Sequence, residues 1–180
     1  MAKSDRKTID KIFILLGAAV TAVLLVAGGL AWYGYKFATN SVRTELSAQK
    51  VYFLAKGSPA LDPAEFPDLQ KYAGQLVDDG PKAKAYANGY IGRHLEKVAN
   101  GKTYSEVSAD AMKDPTNQKL QQQKQTLFQG ETLRGLLLGD GYAYWTFGQV
   151  AQYAAIASFV GAGTMAVLVL LGVRHLKKLR

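Results

Sequence analysis

Two uninterrupted apolar runs stand near the ends of this chain, with a polar stretch between them. The second, Ala151 to Val173, carries no formal charge. At about 1.5 Å per helical residue, 23 residues reach roughly 34 Å, enough to cross a hydrocarbon core of about 30 Å. It stops at a basic tail that begins with Arg174. The first run, Ile12 to Trp32, is rich in Leu, Val, Ile and Ala and follows a short polar, basic segment. Two readings fit it. Gly29-Leu30-Ala31 has the small residues of a signal-peptide cleavage site. The length of the run and the aromatics that close it, Trp32, Tyr33, Tyr35 and Phe37, favour an uncleaved membrane helix.

The pattern therefore predicts an all-α protein with two transmembrane helices flanking a small extracytoplasmic helical domain. Its parts are a cytoplasmic segment over 1–11, a first span over 12–37, a domain over 38–141, a second span over 142–173 and a cytoplasmic basic tail over 174–180. Short basic segments beside membrane helices stay inside, so both termini should be cytoplasmic at the plasma (inner) membrane. Trp32, Tyr33, Tyr35, Tyr142, Tyr144 and Trp145 would form an aromatic belt at the outer interface, from which Lys36 can extend its amine.

In the middle, Asn40 to Leu54 should continue the first helix outward until Gly57-Ser58-Pro59 breaks it. Leu69, Tyr72, Ala73 and Leu76 have the spacing of a short amphipathic helix, which Asp78-Asp79-Gly80 should stop. Pro81 to Asn100 reads as the clearest soluble helix, with Ala83, Ala87, Tyr90, Ile91, His94, Leu95 and Val98 on one face. Gly89 and Gly92 inside it suggest close packing. Thr103 to Glu106 matches a capping box. Thr116 to Leu138 should be a long helix anchored by Leu120, Leu127 and Phe128, with Gln121 to Gln123 exposed and Gly139-Asp140-Gly141 as a hinge. So small a domain has a marginal core, which the membrane helices or a partner protein should supplement.

Charge refines this picture. The net charge of +8 lies mostly at the ends. The central stretch is nearly balanced and has no basic stripe interleaved with aromatics, so nucleic acid is not an expected partner. There is no cysteine, hence no disulfide framework. Of the two histidines, His94 lies on an apolar helix face and His175 in the basic tail. No metal site, cofactor or catalytic residue is predicted, because no Cys/His cluster, phosphate loop or nucleophile elbow occurs. Asp110 and Asp114 read as a solvated edge.

Two features of the second span are candidates for contact. Ala154, Ser158, Ala162 and Ala166 recur every four residues, and Gly161 and Gly163 thin the surface beside them. Such small residues let membrane helices approach closely, so this stripe should meet the first span, which offers Gly17, Ala18, Thr21 and Ala22 near its inner half and Ala27, Gly28 and Ala31 further out, or a partner helix. Gln149 and Gln152 share a face near the outer end. They suit a polar contact within the membrane or simple exposure to interfacial water.

The segments Lys71-Tyr72-Ala73-Gly74-Gln75, Ala83-Lys84-Ala85-Tyr86-Ala87-Asn88, Gly101 to Ser108, and Gln125 to Phe128 with Gly130 to Leu137 together resemble an uncharacterised family of actinobacterial two-span membrane proteins. The resemblance implies an inner-membrane location and supplies no catalytic residue. Some members carry a label as aromatic-ring-opening dioxygenases. That chemistry needs iron held by histidines and a carboxylate, and His94 has no visible partner in this sequence. The expected function is that of a non-catalytic accessory or structural subunit of a larger membrane complex, with the lipid bilayer and other subunits as partners. The alternative is an extracytoplasmic sensor or ligand-binding module that signals through a partner.

Overall fold

The computed structural model describes residues 3–178, with side-chain surroundings from Arg6 onward. Among them the chain is helical, with no strand beyond one isolated antiparallel bridge, Tyr52 to Leu76. Helix α1 spans Lys3–Gln49. After two 3-10 turns, Pro59–Leu61 and Pro67–Tyr72, come α2 (Gly80–Lys84), a π-helical segment (Ala85–Gly92), α3 (Arg93–Ala99), α4 (Tyr104–Lys113) and α5 (Gln118–Leu136). A second π-helical segment, Leu137–Ala143, leads into α6, Tyr144–Lys178. Two helices, Arg6–Gln49 and Gln118–Lys178, are long and apolar enough to cross a membrane.

The backbone divides into two compact units: residues 1–37 with 147–180, and residues 38–146. The segment 1–11 is helical from Lys3 onward, and the basic tail is helical as far as Lys178. The first two residues of the one and the last two of the other lie outside the described residues.

In the first unit, α1 and α6 pack antiparallel through glycines. A Cβ on Gly17 would meet Val169 Cγ2 at 2.7 Å, and one on Gly28 would meet the Phe159 ring at 2.8 Å. From the other side, Gly161 faces Leu24 at 3.3 Å and Gly172 faces Ile14 at 3.0 Å. The residue numbers of each pair add to within one of 186, a single unbroken register. The covered positions of α1 here include 10, 14, 17, 21, 24, 28, 31 and 35. That alternation of three and four is the heptad spacing of left-handed helix pairs.

The second unit has its own core. Val42, Leu46, Phe53, Leu61, Leu69 and Val77 are buried together, and Phe53 stacks on Tyr72 with centroids 5.1 Å apart. Leu95, Ala99, Val107 and Leu127 form a second cluster. Several local expectations change here. Helix α1 stops at Lys50, which takes a left-handed φ of 54°, rather than at Gly57. No amphipathic helix forms over Leu69 to Leu76. Gly74 has a φ of 72°, and the chain beyond it runs extended beside Val51 to Leu54, with Phe53 N–H donating to Gln75 at 2.9 Å and Val77 N–H to Val51 at 2.8 Å. Asp78-Asp79 starts a helix instead of stopping one. Asp79 caps α2 by accepting from Lys82 N–H at 2.8 Å, and Lys82 Nζ donates to Asp78 at 2.6 Å.

The helical run from Gly80 to Ala99 buries Ala83, Ala87, Leu95 and Ala99, while His94 is exposed. A four-residue stripe drifts around an α-helix, because four residues exceed one turn of 3.6. The π segment in its middle bonds i to i+5, turns less per residue, and keeps such a stripe in line. Leu95 therefore takes the inward place that a uniform α-helix would have shared with His94. Gly89 does pack closely, its Cβ position lying 2.8 Å from Leu69, whereas Gly92 has only ordinary contacts. The capping box at Thr103 and Glu106 is present. Asn117 caps α5, Leu127 is buried, and Phe128 is 53% exposed. Gln121 and Gln123 are half-buried rather than free: their amides donate to Ala111 and Val98 carbonyls at 2.8 and 2.9 Å. Gly139-Asp140-Gly141 is no break, since helical backbone continues through it in π form.

Candidate functional site

The second span's small residues are split by the fold. Ala162 is 2% exposed, Ser158, Gly161 and Ala166 are half-buried, and Ala154 is exposed. The covered line of α6 runs instead through Gly148, Ala155 and Ala162, seven residues apart. The reason is rotational. Each step of four turns about 40° past a full circle, whereas a step of seven falls only about 20° short of two circles. A stripe drawn every four residues therefore leaves the seam within two turns, and Ala154 falls off it while Ala155 falls on. Gln149 and Gln152 are both half-buried.

The aromatic residues also separate. In the first unit Tyr33 is 69% exposed and stacks on Phe37, while Trp32 and Tyr35 meet edge to face at 5.3 Å. The Lys36 ammonium lies 5.8 and 5.5 Å from these two rings, at cation–π range. In the second unit Tyr142 and Trp145 are held by α2. Lys84 Nζ sits over the Tyr142 ring at 4.5 Å and donates to its hydroxyl at 3.2 Å, and Trp145 covers Gly80. Tyr144 is 39% exposed and lines an apolar groove of about 370 Å³ with Val42, Leu46 and Leu136, rimmed by Glu45 and Asp140.

A more polar cavity, about 610 Å³, lies between α3, α4 and α5, lined by Asn88, Arg93, Lys102, Glu131 and Arg134 among others. Its charges are largely committed. Arg134 Nη1 donates to both oxygens of Glu131 at 2.9 Å, and its Nη2 donates to Asn88. Arg93 donates to both oxygens of Asp68, which holds the Asp68 carboxyl below its ordinary range. Lys102 donates to Asp110 at 2.8 Å, lowering the Asp110 carboxyl likewise. Asp114 accepts from Thr116 and Asn117 in the turn before α5.

One polar group lies where sequence reading placed none. Half-buried Asp10 lies in line with the α1 seam, and its Oδ2 is buried with no hydrogen-bond partner. It lines a cavity of about 520 Å³ with Phe13, Gly17, Leu168, Val169 and His175. The signal that could have revealed it is the alternation of three and four running from Asp10 to Tyr35. Gly, Thr and Ala fill so many of its positions that it carries little hydrophobic contrast. No group of three or more His, Cys, Asp or Glu that could hold a metal occurs among the described residues. Comparison with known protein families, curated proteins and solved structures finds no match for this chain.

Proposed function

We propose that this chain is an integral membrane protein that serves as a non-catalytic accessory or structural subunit of a larger membrane complex, a respiratory assembly being one candidate. In this reading both termini are cytoplasmic and the helical domain between the spans is extracytoplasmic, in the inner membrane of an actinobacterium. The observation that carries it is the α1–α6 seam. Small residues are turned inward, and the outward surface is apolar: Phe13, Leu15, Leu30, Tyr153 and Val160 are each 65% to 72% exposed. An exposed apolar surface of that kind is suited to lipid or other membrane helices, not to water. A second reading, a sensor or ligand-binding module acting through a partner, draws on the polar cavity beside Arg134 and Lys102.

Purification of the full chain from native membranes in mild detergent tests both. A stable set of partner subunits supports the first reading. Recovery alone, with a ligand in the central domain, supports the second. Topology has its own test in this cysteine-free chain. Single cysteines at Ser4, Ser105 and Leu179 should divide, only Ser105→Cys reacting with an impermeant thiol reagent on intact cells. Reaction at Ser4→Cys would overturn the orientation.

A further inference from the structure

The cavity at the Asp10 end of the helix pair joins two features that do not ordinarily meet. Its walls are apolar, with Phe13, Gly17, Leu168 and Val169 making a trough between α1 and α6. Gly17 closes the trough at its inner end, since α1 and α6 meet there so tightly that a Cβ would strike Val169 Cγ2 at 2.7 Å. At its other end sits Asp10, with Oδ2 buried and without a hydrogen-bond partner, and no ion pair to Asp10 occurs among the described residues. A buried carboxylate oxygen left unpaired is costly and calls for a donor. His175 lines the cavity, and cations neighbour the site in sequence: Arg6, Lys7 and Lys11 on α1, and Arg174 and Lys177 on α6.

We propose that this cavity holds one amine-headed phospholipid of the ethanolamine type. An acyl chain lies along the trough, the ammonium donates to Asp10 Oδ2, and the phosphate meets the basic residues and His175. Asp10 discriminates. Any phospholipid can offer a phosphate to the basic cluster, but only a headgroup with a terminal ammonium also supplies the donor that Asp10 Oδ2 lacks. The proposal rests on the membrane reading above.

The full chain is reconstituted in nanodiscs of equal phosphatidylethanolamine and phosphatidylglycerol, and lipids retained on release are counted by native mass spectrometry. One retained ethanolamine lipid is expected, favoured about fivefold over the glycerol lipid, the factor for one partly exposed charge pair. Asp10→Asn should remove the preference, and Leu168→Trp, which narrows the trough at an exposed position, should remove the lipid. Helical circular dichroism confirms that each variant is folded. Equal or greater retention of phosphatidylglycerol by the wild type overturns the proposal, as does a preference unchanged in Asp10→Asn. A retained second copy of the chain in place of lipid also overturns it, by assigning the trough to a helix. Alkaline carbonate extraction separates the deeper failure: release of the chain from membranes overturns the membrane reading itself.

Discussion

Gly80 lies flat against Trp145, so closely that a Cβ would stand 2.6 Å from the Trp145 Cβ. The contact joins the start of α2 to the start of α6 within the second unit. It takes Trp145 out of service as a free interfacial aromatic and makes it a packing residue. Gly80→Ala should therefore destabilise the folded chain by about 1–3 kcal/mol, the usual cost of overpacking. Thermal unfolding in detergent, followed by tryptophan fluorescence, checks this. An unchanged midpoint would mean that α2 can move away from Trp145 freely.

Adjacent glycines in α1 should respond oppositely. Gly28 is covered by the Phe159 ring, while Gly29 has nothing within 4 Å. Gly29→Ala should be neutral or stabilising by about 0.5–1 kcal/mol, from lower backbone entropy in the unfolded chain. Gly28→Ala should destabilise, because the ring must shift. Spin labels at Ala18 and Ala166 would report the α1–α6 separation, expected to widen only in Gly28→Ala.

The same logic divides the small residues of α6. Ala162→Leu should loosen the helix pair without impairing insertion, and Ala154→Leu should be tolerated. Leu170→Ala, on the exposed surface, serves as a further control. Protease resistance after detergent extraction is the readout. Equal behaviour of Ala162→Leu and Ala154→Leu would remove the seam as drawn.

At the α4 N-terminus, Thr103 Oγ1 accepts from Glu106 N–H at 3.3 Å and Glu106 accepts from Thr103 N–H at 2.8 Å. Thr103→Ala should cost about 1 kcal/mol. Hydrogen exchange of α4 amides should rise in the variant, with α5 amides unchanged if the effect is local.

Asp68 links stability to pH. Its carboxyl is held below the ordinary value of 3.8, first by the hydrogen bond from Arg93. A lowered folded value means the contribution is present above the unfolded value and is lost as pH falls through the folded one. Both side chains are substantially exposed, so the pair is worth only about 0.2–1 kcal/mol. Asp68→Asn should be slightly less stable than wild type at neutral pH and equal to it once the pH has fallen below the folded value of Asp68, where both are uncharged at this position. A stability difference that persists unchanged at the lower pH would assign it to packing.

The sequence by itself determined the helical class, the two apolar helices and the helix ends that rest on local chemistry, the Thr103 capping box and the left-handed Asn100 stop among them. Those features depend on residues within a turn of each other, or on composition summed over a long run. Tertiary structure alone decided the rest. Leu69 to Leu76 has helical spacing, yet Gly74 turns the chain and extended pairing with Val51 to Leu54 satisfies its backbone. His94 and Leu95 compete for one inward place, and the π segment over Ala85–Gly92 gives it to Leu95. The clearest case is the α1–α6 seam. In water-soluble helices the buried face is the most apolar one, and it announces itself by contrast. Between two apolar helices burial goes to whichever residues are smallest, because close approach rather than escape from water drives the contact. Gly17, Gly28 and Ala162 are no more hydrophobic than their neighbours. Their small size was legible, but Ala18, Ala27 and Ala154 are equally small, and only the facing helix distinguishes among them and covers Oδ2 of Asp10.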